Sequence, residues 1–197
     1  MDLGFILKGT IMQFIVFSFS PFIWWLIKHR KQTTFFKWIG LFKPKKIVSN
    51  KGVIFAIAGY MIILLITHIP TITKYTQPSA NKYSGLTFEA VIPILIVCFI
   101  QNGVCEEVLF RGFLGKRFIA IFGVKVGNVS QAICFGIAHV LFFSGDIMIT
   151  YILLMITTSV GGWMLGYFNE KIFNGSIIPS ILLHGLGNFL MNMSKFF

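Results

Sequence analysis

The apolar residues of this chain come in long blocks separated by short polar stretches. The blocks cover residues 9–27, 52–69, 86–105, 128–143, 147–168 and 177–193. Most approach the ~20 residues that a helix needs to cross about 30 Å of hydrocarbon. The pattern predicts an all-α fold: a polytopic membrane helical bundle of about six transmembrane helices, with interfacial helices besides. One integral membrane domain spanning 1–197 is expected.

Local signals mark the ends of the blocks. Trp24 and Trp25 close the first block and suit a membrane interface, with a basic flank beyond them. No small-residue cleavage site follows, so the block reads as an uncleaved helix and not a signal peptide. Phe35–Lys43 mixes aromatics with Lys and is predicted to lie along the interface, with Pro44 as its stop. Pro70 closes the second block, and the polar residues 71–85 form a loop. Glu89 marks the outer end of the third block and Pro93 is a candidate kink. Helical pattern then continues to Phe122, too far for one straight crossing. Gly123 to Gly127 are expected to break it. Ser144, Gly145 and Asp146 predict a tight turn, and Asn169–Ser176 a polar one. Gly162 and Gly166, four apart, are a candidate packing groove.

Composition sharpens the membrane reading. The 197 residues are 56% hydrophobic and 12% charged, too few charges to cover a soluble domain of this size. Net charge is +11, yet the basic residues cluster between the first two blocks. That is the mark of a cytoplasmic loop facing anionic lipid, and no nucleic-acid partner is implied. With this loop inside, twelve Lys and Arg fall inside and four outside, Arg111 excepted. The expected location is the cell membrane, multi-pass, with both termini extracytoplasmic. Cys98, Cys105 and Cys134 show no CxxC pairing and read as small buried hydrophobes. The Phe excess reads as lipid-facing packing.

Against this background the polar residues of Gln101–Arg117 stand out, because ionisable groups at membrane depth by default mark a functional site. Glu107 and Arg111 are four apart and can pair on one helical face. Phe135 with His139, and His184 with Asn188, repeat that spacing. Glu106 points away from Glu107, so one carboxylate can be neutralised by Arg111 while the other faces a cavity as a general base for water. Neutral imidazoles and an amide can hold that water and stabilise an oxyanion. This suffices for amide hydrolysis without a covalent nucleophile. The competing chemistry is a zinc site using Glu106, His139 and His184, with a water in the fourth position. No HExxH, GxSxG, P-loop or Rossmann fingerprint is present. Taken singly, each His suits helix packing as well as catalysis, and the Glu107–Arg111 pair suits a structural bridge.

EEVLFR at 106–111, FGIAH at 135–139 and HGLGN at 184–188 resemble the three motifs of the CAAX protease and bacteriocin-processing (CPBP, or Abi) family. The resemblance spans about 86–190, the expected catalytic core. It implies an intramembrane endopeptidase acting on a membrane-associated peptide or protein. Glu106 would activate the water, His139 would place it, and His184 and Asn188 would form the oxyanion side. Glu107, Arg111 and Phe135 would support them. The family has been described both as metalloproteases and as metal-independent. The reading favoured here has no permanent metal, with zinc as the alternative. The Lys-, Ile-, Phe- and Asn-rich composition resembles low-GC Gram-positive bacteria, which points to a peptide or membrane-protein substrate and not a prenylated one. The non-enzymatic alternatives are a membrane scaffold or bacteriocin-immunity factor binding a peptide or kinase partner, and a small transporter.

Overall fold

A computed structural model describes residues 3–44, 49–68, 88–143 and 148–193. Every regular element among them is helical, as the block pattern predicts. The order is α1 (Leu3–Lys28), α2 (Phe35–Trp38), α3 (Asn50–His68), a 3-10 turn (Phe88–Ala90), α4 (Val91–Leu95), a π-helical stretch (Ile96–Gly115), α5 (Lys116–Leu141), α6 (Met148–Tyr167), a π-helical turn (Phe168–Ile172) and α7 (Ile178–Met193). The predicted Pro70 stop, the 71–85 loop and the Ser144–Asp146 turn lie outside the described residues.

Leu3–Lys28, Val91–Leu141 and Met148–Ile172 are long and apolar enough to cross a membrane, and Asn50–Ile66 is a shorter apolar helix. Six crossings would require dividing Val91–Leu141 in two and counting the short α3 and α7. The dividing point is Gly123 alone (φ 74°, ψ 169°), not the whole of Gly123–Gly127. That backbone angle favours glycine, and nothing crowds the position. The chain re-enters helix at once, so tightly that a Cβ on Gly127 would stand 2.5 Å from the Ile119 amide nitrogen. Pro93 sits in the first turn of α4, where a missing N–H is tolerated.

The basic segment after α1 packs back against the helices. Trp25 Nε1 donates to the Thr33 carbonyl at 2.9 Å. Phe35 stacks edge-on to Phe22 and Trp25, and Arg117 lies 4.1 Å over the Trp38 ring. Ile39 is buried against Val108, Ile177 and Ile181. The short helix ends before Pro44, because Gly40 takes φ 87°. The close approach there is real, since an added Cβ would meet the Gly175 carbonyl at 2.5 Å. Ile177 N–H donates to the Gly40 carbonyl at 2.9 Å. Lys116 Nζ reaches both Glu170 Oε1 and the Gly175 carbonyl at 2.6 Å. One end of the bundle is therefore tied through Gly40, Lys116, Glu170 and Gly175.

Small residues set the α5–α6 crossing. A Cβ on Gly162 would meet Phe135 at 3.0 Å and Arg111 Nη2 at 3.2 Å, and one on Gly136 would overlap Ser159. The expected groove is occupied by Phe135 and Arg111 at Gly162 and by Asn128 and Gln131 at Gly166. Cys98 and Cys105 are buried and Cys134 is half-buried, and Asn192 Nδ2 reaches Cys98 Sγ at 3.5 Å. The phenylalanines divide: Phe14 and Phe55 are exposed, while Phe110, Phe135 and Phe168 are core, so the lipid-facing reading holds for only part of them.

Candidate active site

Glu106, Glu107 and Arg111 lie on the π-helical stretch. π-Helix is uncommon and is often found at functional sites. Phe135 and His139 come from α5, His184 and Asn188 from α7. The three sequence motifs meet in the interior.

Glu107 is the hub. Its side chain is wholly buried, and Arg111 Nη1 stands 2.9 Å from Oε1. His184 Nδ1 lies 3.0 Å from the same oxygen. Ser180 Oγ donates to Oε2 at 2.7 Å, and Asn169 Nδ2 donates to Ser180 Oγ at 2.8 Å. A buried carboxylate is tolerated when it is paired and both its oxygens are engaged, and Glu107 meets that condition. Because a carboxylate only accepts, a neutral His184 must carry its proton on Nδ1, which leaves the Nε2 lone pair free.

That free nitrogen faces Glu106, with Nε2 to Oε2 at 3.9 Å. The separation is too long for a direct hydrogen bond and short enough for one shared water. Glu106 Oε2 is buried without a hydrogen-bond partner, whereas its neighbour Glu107 is saturated. The two adjacent carboxylates therefore occupy opposite environments.

Phe135 forms the wall between the charged groups. The Arg111 guanidinium lies 4.1 Å over its ring, a cation–π arrangement. His139 packs at 4.4 Å and His184 at 6.2 Å between ring centroids, both edge-on. His139 Nδ1 bonds the Phe135 carbonyl at 2.8 Å, so its Nε2 is the nitrogen available to other groups. Asn188 is half-buried one turn beyond His184, and its backbone carbonyl accepts from Asn192 at 2.9 Å.

Ser180, Asn169 and Tyr60 were not singled out in the sequence. Ser180 lies four residues before His184, so helical spacing alone carried a signal for it. Asn169 had none, because its partner lies on another element. Tyr60 is buried in α3 with its ring 6.3 Å from that of His184. Among the described residues, no three His, Cys, Asp or Glu side chains are grouped to hold a metal ion. His184 and His139 each engage a partner through Nδ1, Glu107 and the Phe135 carbonyl, which leaves each Nε2 open.

A family model described as type II CAAX prenyl endopeptidase Rce1-like matches residues 88–190. No curated protein and no solved structure matches the chain.

Proposed function

The chain belongs to the Rce1-like family of type II CAAX prenyl endopeptidases, and from that premise we propose an intramembrane peptidase in which Glu106 activates the attacking water. The observation that carries the reading is the contrast between the two adjacent glutamates. Glu107 is held by Arg111, His184 and Ser180, while a buried oxygen of Glu106 has no hydrogen-bond partner and faces His184 Nε2.

Water held between Glu106 and His184 Nε2 gives its proton to the Glu106 carboxylate as its oxygen bonds to the scissile carbonyl carbon. The carbonyl π pair moves onto oxygen. The Asn188 side-chain N–H stabilises that charge as it forms; the imidazole N–H groups are already given to Glu107 and to the Phe135 carbonyl. Glu106 then returns the proton to the departing amine as the C–N bond breaks. His139 helps place the water. Glu107 and Arg111 hold His184 in the required tautomer. The substrate is a membrane-associated peptide or protein, and the mechanism calls for no resident metal.

The test is cleavage of a membrane-anchored peptide by purified protein. Glu106→Gln keeps size and fold and removes the base, so cleavage should fall by about 10²–10⁴-fold with the helical content unchanged. Retained cleavage by E106Q would refute the assignment. Retained cellular function without cleavage would favour a scaffold. Activity that survives exhaustive chelation is expected, and zinc-dependent loss and recovery would reverse the metal-free assignment.

A further inference from the structure

Next to the site lies a small, partly open cavity that the proposed chemistry does not use. It has a volume of about 10 Å³ and is bounded by Arg111, Gln131, Asn169 and their neighbours Asn128 and Gly166, with Glu170, the Lys116 partner, at its side. That is close to the room one water needs. Each of the three named polar side chains is almost fully buried. Each also carries atoms with no hydrogen-bond partner: Arg111 Nε and Nη2, Gln131 Oε1 and Asn169 Oδ1.

The amide orientations are fixed by other contacts. Gln131 Nε2 donates to Asn128 Oδ1 at 2.9 Å and to the Gly162 carbonyl at 3.0 Å, so Oε1 is the atom left over. The Ser180 hydroxyl hydrogen goes to the Glu107 carboxylate, so its oxygen needs a donor. Asn169 Nδ2 supplies it, which leaves Oδ1 free. One donor group and two acceptors thus border a cavity of water size. A water there would accept from Arg111 and donate to Gln131 and Asn169. Three bonds is the usual number for a buried water.

We infer that this cavity is a resident water site, and that the water closes a ring running through Arg111, Asn169, Ser180 and Glu107. The inference rests on the proposed role of Glu106 and His184 only for its functional consequence. The ring fixes Glu107 on both oxygens, and Glu107 in turn fixes the proton of His184 on Nδ1. Asn169 and Ser180 are positioning residues: they act through Glu107 and do not touch the reacting atoms.

Two measurements test this. The first is an experimental structure of the full chain at a resolution that resolves ordered water. A peak within hydrogen-bond distance of Arg111, Gln131 and Asn169 is expected. An empty cavity, or one closed by a shifted side chain, overturns the water site whatever the protein catalyses. The second uses Ser180→Ala and Asn169→Leu, with Ser180→Thr as the conservative comparison. Each loss removes a bond in the chain to a charged group, so kcat should fall about tenfold with KM little changed, and S180T should recover part of it. In ¹⁵N-histidine spectra, the His184 signal, assigned by its loss in His184→Gln, should move away from the Nδ1–H tautomer in S180A. An unchanged tautomer and kcat in folded S180A would overturn the positioning role. If N169L does not fold, S180A alone decides. E106Q run alongside separates the cases: active E106Q refutes the proposed base, whereas inactive E106Q with wild-type S180A refutes only the ring.

Discussion

At the scale of single residues, the sharpest contrast is between Glu107 and Arg111 as a pair and either one alone. Their four-residue spacing was legible in the sequence, because helical geometry puts such residues on one face. The price of separating them is set by burial. Replacing Arg111 by Leu leaves a wholly enclosed carboxylate without its cation, and breaking a buried pair in this way costs roughly 3–5 kcal/mol. Arg111→Leu should therefore lower the thermal midpoint in detergent markedly. The double variant Glu107→Gln with Arg111→Leu should recover part of the loss, since no charge is then stranded. A double variant less stable than R111L would show that the ion pair is not what burial penalises. What the sequence did not disclose was Asn169. It reaches Ser180 across elements, and no local spacing encodes a contact between the π-helical turn at Phe168–Ile172 and α7.

Helices meet here through glycines, and the elements show why boundaries were harder to read than cores. Pro44 looked like the stop for the segment after α1, yet Gly40 stops it, because a positive φ and a 2.5 Å approach to the Gly175 carbonyl act first. Gly123 to Gly127 looked like a five-residue break, yet one residue suffices for the turn. Composition marks a glycine but does not say which one has an unusual angle. The crossing of α5 and α6 gives an element-scale prediction. Gly162 leaves 3.0 Å to Phe135 and 3.2 Å to Arg111 for any added Cβ. Gly162→Ala must push the aromatic wall and the guanidinium by a few tenths of an ångström, so cleavage should drop while membrane insertion is preserved. Gly162→Leu should in addition lower the unfolding midpoint by an amount typical of overpacking, about 1–3 kcal/mol. Wild-type activity in G162L would mean that α5 and α6 are looser than this packing.

Across the whole molecule, the question is whether residues from three motifs can share one depth. Read as blocks, Glu106 falls near the basic end of its span, while His139 and His184 fall near the middle. The tie between Lys116, Gly175 and Gly40 supplies a common reference level. Glu107 precedes Lys116 by nine residues, which is at most about 13 Å because π-helix rises less per residue than the 1.5 Å of α-helix, and His184 follows Ile177 by seven, or about 10 Å. The chain descends again after the Gly123 corner, sixteen residues before His139, and the two arms lie side by side at Gly127 and Ile119. Taking Gly123 as about 10 Å beyond Lys116 and His139 as about 24 Å back from it puts His139 at about 14 Å. All three groups come out in one layer, roughly 10–14 Å inside the end that carries Lys116, Arg117 and the basic segment. From the positive-inside bias we propose that this end faces the cytoplasm. The expected result is that a cysteine introduced at Lys37, exposed on α2, reacts with a membrane-impermeant thiol reagent only when the cytoplasmic face is open to it. A substrate whose scissile bond lies about 10–14 Å from its cytoplasmic boundary should be cleaved faster than one shifted by two helical turns towards the far side. Labelling of that cysteine from outside intact cells would invert the topology, and equal cleavage of the two substrates would remove depth as the determinant of which bond is cut.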